Sequence, residues 1–225
     1  MGEQDYRYDA SYEETVELSD GQRVYLRLAR PSDKEMVLDG FERLSPDSRY
    51  ARFMAPKSKL TDAELRYLTE VDGIDHFAIG AIRRHLVSKD EGVGIARFVR
   101  LHDQPDTAEP AVTVADDYQG KGLGSILLQR LIEAAWERDI RWFVTELLAE
   151  NTASKRMIET LSPEVKFGQS GDGAIIATMP VPEPDHTPTA PGFFASSAVH
   201  KLLSYVARAK ISVRPRVTRP PEPPS

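Results

Sequence analysis

No cysteine occurs anywhere in the 225 residues. Disulfides, thiolate metal sites and a cysteine nucleophile are thereby ruled out, and the composition fits a cytoplasmic protein. Long apolar runs are missing as well. None approaches the roughly 20 residues needed to cross a bilayer. The five histidines form no H-E-x-x-H or other ligand spacing, so no metal is expected. Basic charge is not in excess either: the formal net charge is −6, which argues against a broad nucleic-acid surface. Neither nucleic acid nor a membrane is an expected partner. The N-terminus, MGEQDYRYDASYEETVELSD, has no apolar h-region and does not read as a secretory signal. Met1-Gly2 begins like a myristoylation motif, but Tyr6 stands where Ser or Thr is required.

What the chain does contain is an ordinary core-forming share of hydrophobic residues, 40%, beside 28% charged residues. The length suits one well-buried domain with an appendage. Composition changes near Pro180, where nine of the sixteen prolines begin to gather. Residues 181–225 carry six Lys/Arg against three Asp/Glu, net +3, leaving −9 for residues 1–180. Both ends of that tail read as extended chain. Between them, about 195–209, a helix is expected with Val199, Leu202, Leu203 and Val206 on one face. It would dock on its own domain or on a twin subunit in a homodimer; a basic helix visiting an anionic membrane or a partner groove is the alternative. The expected organisation is a flexible N-terminus over 1–14, a folded domain over 15–180 and the basic tail over 181–225.

Within the body, elements alternate. Thr15–Leu18 and Arg23–Leu28 flank Asp20-Gly21 as a hairpin. Pro31-Ser32-Asp33 opens a helix running to Leu44, and Ser45-Pro46-Asp47 starts a short second one. Thr61 and Glu64 make a capping box for a helix to about Thr69. Strands are predicted over His76–Ile82, Val93–Leu101, Ala111–Ala115 and Trp142–Leu148. Helices are predicted over Gly124–Arg138 and Thr152–Leu161, and a closing hairpin over Val165–Gln169 with Ala174–Met179. On the Gly124–Arg138 helix, Ile126, Leu127, Leu131, Ile132 and Ala135 form the inward face. The fold class is therefore α/β (α+β), a mixed sheet with helices on both faces.

The stretch AVTVADDYQGKGLGSILLQRL, residues 111–131, sets three glycines at alternate positions between a strand and a helix. Glycine inside an element costs roughly 0.5–1 kcal/mol relative to alanine, so three together mark a loop where side chains would obstruct something. Backbone N–H groups at a helix N-terminus attract anions, and Lys121 adds a point charge. Such a loop suits a phosphate. The Walker spacing fails because Gly122 follows Lys121, and G-x-G-x-x-G fails because position 125 is Ser125.

Gln119-Gly120-Lys121-Gly122-Leu123-Gly124 instead resembles the Q/R-x-x-G-x-G/A pyrophosphate loop of the GNAT (Gcn5-related N-acetyltransferase) superfamily. Glu150-Asn151-Thr152-Ala153-Ser154-Lys155-Arg156-Met157 resembles that family's second cofactor motif. The resemblance runs from about Thr15 to Met179. Ser45–Phe53 and Arg97–Glu109 look most like the acetyltransferase domain of bacterial protein-lysine acetyltransferases. Those enzymes often carry a fused cyclic-nucleotide-binding or acyl-CoA-synthetase-like domain, for which this length leaves no room.

The resemblance implies a mostly antiparallel sheet splayed at the cofactor and an acetyl-CoA (or other acyl-CoA) co-substrate. It implies that backbone groups of Gly120, Lys121, Gly122, Leu123, Gly124 and Ser125, beside Gln119, hold the diphosphate. Main-chain groups of Val112 and Val114 would pair with the pantetheine arm. Asn151 would touch the cofactor by its side chain, or serve as a plain N-cap. Glu109 lies where the resembled enzymes have a catalytic glutamate, although Pro110 departs from the usual residue there; the alternative is a surface carboxylate. Ile158 occupies the place of the tyrosine acid of many relatives, so no dedicated side-chain acid is expected. Tyr50 and Arg52 are candidates on the acceptor side. The acceptor would be a protein lysine or a small amine; the rival reading is a non-catalytic acyl-CoA-binding module.

Overall fold

Among the described residues eight strands form one sheet around which the rest is arranged. The computed structural model describes residues 6–46, 48–49, 57–148, 164–170 and 174–184. β1 (Glu13–Glu17) and β2 (Arg23–Leu28) form the expected hairpin. β3 (His76–Arg83), β4 (Glu91–Leu101) and β5 (Gln104–Val114) continue antiparallel. β6 (Trp142–Leu148) joins β5 in parallel and then pairs with β8 (Ala174–Pro180), which pairs with β7 (Lys166–Ser170). The order is β1-β2-β3-β4-β5-β6-β8-β7, a mixed, mostly antiparallel sheet as predicted.

β5 starts at Gln104, seven positions before the expected Ala111. Its two prolines disguise it, and each sits where a missing N–H costs the ladder nothing. Pro105 follows the register irregularity at Arg100/Leu101. Pro110 lies opposite Phe98 with its nitrogen turned away from β4, since hydrogen-bonded pairs alternate from Ala115, whose N–H donates to the Val93 carbonyl at 2.9 Å.

One sheet face is covered by α3 (Leu123–Glu137). Leu123, Leu127, Leu131, Ala134 and Ala135 are its buried stripe, set by i, i+4 spacing. Ile126 and Ile132, expected inside, are only partly buried on its flanks. Phe77 and Phe98 stack beneath it with centroids 5.2 Å apart. Tyr8 and Tyr12, within the stretch expected to be flexible, are buried in the same core. Tyr8 is held by its hydroxyl on Glu133 and by its carbonyl, which accepts from Arg138 Nη2 at 2.7 Å.

The opposite face is covered by α1 (Lys34–Arg43) and α2 (Asp62–Thr69). The Thr61 and Glu64 capping box that starts α2 is present, with Thr61 N–H donating to Glu64 Oε2 at 2.9 Å. Phe41, Leu44, Leu60 and Leu68 form a second apolar cluster there. Arg27 and Asp33 meet at 2.7 Å at its edge, both nearly buried. Among the described residues no helix is long and apolar enough to cross a membrane. Asn151, Tyr50, Arg52, the helix expected over Thr152–Leu161 and the tail beyond Glu183-Pro184 lie outside the described residues.

Candidate active site

Two neighbouring strands part company at the centre of the sheet. Arg141 N–H donates to the Asp106 carbonyl at 2.7 Å, and the parallel register between β5 and β6 runs through Thr107–Trp142 and ends at Ala108–Phe143. β5 continues to Val114 while β6 stays paired with β8 along its length. Because main-chain groups alternate sides, those of Asp106, Ala108, Pro110, Val112 and Val114 turn toward the opening gap. Val112 and Val114 thus present backbone polar groups to a wedge that β6 does not fill. The Val114 carbonyl accepts from Gln119 Nε2 at 3.3 Å.

The gap leads into the glycine loop. After a short 3-10 turn, Asp116–Tyr118, Gly120 and Gly122 take φ of +82° and +85°, the left-handed region in which a side chain is strained. A Cβ added at Gly122 would meet nothing within 4 Å, so backbone conformation rather than crowding requires glycine there. Gly122 is the N-cap of α3 and supplies no side chain to its first turn. The helix ladder begins with Ile126 N–H on the Gly122 carbonyl at 3.1 Å. The N–H groups of Leu123, Gly124 and Ser125 therefore have no intrahelical acceptor, and the helix dipole reinforces their positive potential.

Neighbouring side chains fix this loop. Asp116 accepts from Ser45 N–H at 2.8 Å, from the Ser48 hydroxyl and from Gln119 Nε2 at 2.9 Å. Tyr118 is buried, and its hydroxyl accepts from Arg83 at 2.9 Å. Lys121 Nζ lies 2.9 Å from Asp20 Oδ2, so its charge is shared with the β1–β2 turn. That pairing holds the Asp20 carboxyl below its ordinary range.

Residues 23–162 match the acetyltransferase (GNAT) domain family. The chain belongs to the GNAT acetyltransferase family. GNAT enzymes use acetyl-CoA as acyl donor. The chain is 33% identical over 183 residues to an acetyltransferase named Pat from Mycolicibacterium smegmatis, covering 78% of this chain and 51% of that protein. It thus spans about half the length of that relative. The GNAT domain of Streptomyces lividans PAT superposes with a TM-score of 0.63 at 29% identity, over 77% of this chain and 99% of the other. A Salmonella typhimurium acetyltransferase-fold protein solved with acetyl-CoA shares the fold at TM-score 0.50 and 20% identity, over 73% of this chain and 99% of the other.

In this GNAT sheet Glu109 sits on β5, partly buried, on the face covered by α1 and α2. Cross-strand partners share a face, which places His76, Val99 and Glu109 in one row, and Ala78, Arg97 and Ala111 in the next. Tyr67 of α2 lies above both rows. Its ring is 4.8 Å from that of His76 and 4.6 Å from the Arg97 guanidinium carbon. Arg97 is 5% exposed. Burial pushes its pKa down, while Tyr67 and the Glu109 carboxylate push it back up. Burial, with Arg97 beside it, depresses the His76 pKa to about 4.

The polar group of Tyr67, His76 and Arg97 is not among the site residues expected from motif and position. It does leave one trace in the sequence: in VGIARFVRL, Arg97 alternates with Ala96 and Phe98, so one of two buried faces has to hold a charge.

Proposed function

We propose that the protein transfers the acetyl group of acetyl-CoA to an amine, a protein lysine side chain being the acceptor. The observation that carries this reading is the unfilled side of β5, which leads straight into the uncapped N–H groups of α3. In this reading Val112 and Val114 pair with the pantetheine arm, and the amides from Gly120 to Ser125 hold the diphosphate. Lys121 adds charge to it, Gln119 braces the loop, and Asn151 contacts the cofactor by its side chain.

A lysine amine has an ordinary pKa near 10.4, so about one in a few thousand is neutral at pH 7. Glu109 receives the ammonium proton. The freed nitrogen attacks the thioester carbonyl carbon, an N–C bond forms and the C–S bond breaks, and the second amine proton passes to the departing CoA thiolate, leaving a neutral amide and CoA thiol. An ordinary thiol has a pKa of roughly 8.5, so this leaving group needs little help from an acid. With no cysteine in the chain, transfer is direct rather than through a cysteine acyl-enzyme.

The protein-lysine acceptor is supported by the likeness to Pat proteins and by the −9 charge of residues 1–180, which favours a basic partner surface. The catalytic domain covers 15–180 and takes in Tyr8, Tyr12 and Val181, which share its core. The rest of the tail docks on that domain or on a twin subunit, and the protein works in the cytoplasm.

The test is to supply acetyl-CoA with a lysine peptide, a polyamine or buffer alone and to follow thiol release. Peptide-dependent release is expected. Glu109→Gln should lower it about 10²–10⁴-fold at neutral pH. The deficit should shrink at high pH, where the amine is already neutral. Release with the polyamine alone would make this a small-amine enzyme, and CoA binding without any release a regulatory module. An unchanged rate in Glu109→Gln at neutral pH would remove Glu109 as the base.

A further inference from the structure

Arg97 carries a full charge into the protein interior and leaves most of its donors unused. Among the described residues neither Nε nor Nη1 has a hydrogen-bond acceptor, so Glu109 does not reach them. His76 Nε2, diagonal to it on β3, is likewise buried without a partner, as is Thr113 Oγ1 further along the same face of β5. Arg138 shows what a satisfied buried arginine looks like here. Its three guanidinium nitrogens donate to the carbonyls of Gly73, Ala134 and Tyr8 at 2.6, 2.9 and 2.7 Å.

Buried guanidinium donors without acceptors are costly, and Nε and Nη1 of Arg97 are two such nitrogens. The Tyr67 ring lies over the guanidinium carbon, and Nε and Nη1 remain available to donate. Arginine's fork matches the two oxygens of a carboxylate. Arg97 is flanked across the sheet by Ala78 and Ala111, whose side chains end at a methyl group and offer its donors no acceptor. Ala111 lies between Glu109 and Val112, so anything bound by Arg97 sits next to where amine and thioester meet.

We propose that Arg97, with Tyr67 stacked on it and His76 beside it, is a carboxylate-recognition subsite of the acyl-transfer centre. The carboxylate arrives on the far end of a dicarboxylic acyl group or on the acceptor, close to its reacting amine. The inference rests on the acyltransfer reading above and adds a substrate class to it.

The experiment uses the full chain and four substrate pairs. Acetyl-CoA or succinyl-CoA is combined with Nα-acetyl-lysine, which has a carboxylate, or with Nα-acetyl-lysine amide, which has none. Wild type should favour the carboxylate-bearing member of either the donor or the acceptor comparison by about tenfold to a hundredfold in kcat/KM. The comparison that shows the preference names the source. Arg97→Gln should bring that ratio to near one. No preference in wild type overturns the proposal. So does a preference that survives in Arg97→Gln, including the case where all four pairs fall together, which would make Arg97 a positioning residue for Glu109. If no pair releases thiol, the acyltransfer reading fails separately. Calorimetry of the two CoA esters and the two lysine derivatives then decides: tighter binding of a carboxylate-bearing partner, lost in Arg97→Gln, supports the subsite, and equal binding overturns it. Should Arg97→Gln not fold, the wild-type comparison decides alone: a carboxylate preference supports the subsite, and none overturns it.

Discussion

Gly94 of β4 lies directly under Leu127 of α3: a Cβ added to the glycine would stand 2.9 Å from Leu127 Cδ1 and 3.3 Å from Leu123 Cδ2. The sheet and the helix that begins at the glycine loop touch there, backbone to side chain. Gly94→Val should therefore lift the first turn of α3. Overpacking of this kind costs about 1–3 kcal/mol. Urea unfolding should show a lower midpoint, and calorimetry a weaker CoA complex, since the displaced turn carries the N–H groups of Leu123 and Gly124.

Backbone strain can be separated from site chemistry by comparing two glycines. Gly122 and Gly73 hold φ of +85° and +74°. Replacing either with alanine should cost about 1–2 kcal/mol of stability, the penalty of the left-handed region. Gly122→Ala should also weaken CoA binding, whereas Gly73→Ala should leave it unchanged. Equal CoA affinities in the two variants would detach the loop from the cofactor.

Lys121 is shared between Asp20 and any anion in the loop. Asp20→Asn should release it and tighten CoA binding about threefold, a gain in keeping with a partly exposed pair. The effect should fade at high salt, where such pairs are screened. Titration at two ionic strengths checks it. Lys121→Ala should weaken CoA and abolish the benefit of Asp20→Asn.

His76 links stability to pH. Its pKa is depressed to about 4 by burial and then by the Arg97 charge. The unfolded chain takes up a proton below about 6.5, while the folded chain stays neutral down to about 4. Stability is therefore full above 6.5, falls between 6.5 and 4, and is flat below that as far as this group is concerned. Each pH unit in the window costs at most about 1.4 kcal/mol, less because the ring is partly solvated. His76→Gln should flatten that part of the melting-temperature profile.

Local chemistry was readable along the chain. Thr61 and Glu64 announce α2 because a capping box involves only four consecutive residues. Gly120 and Gly122 announce the loop because positive φ is a property of single residues. The spacing of Leu127, Leu131 and Ala135 places α3, although the sequence puts Ile126 and Ile132, which lie at the margins of the buried stripe, on the inward face and leaves out Leu123. Glu109 and the amides around Gly122 are proposed from motif and position.

Register and long-range burial were not readable. β5 hid behind Pro105 and Pro110 because a strand's tolerance for proline depends on which side its neighbour lies. The wedge beyond Ala108–Phe143 exists because β6 commits its hydrogen bonds to β8, a choice that two segments far apart in the chain make together. Tyr8 becomes core only when α3 is beside it. Tyr67, His76 and Arg97 come from three separate segments, and nothing in any one of them announces the others. By itself the sequence determined most of the elements, the glycine loop and the family, since these follow from dihedral preference and short-range spacing. Tertiary structure alone decided where the sheet opens and which buried guanidinium keeps donors without acceptors, since both are set by pairing between distant segments.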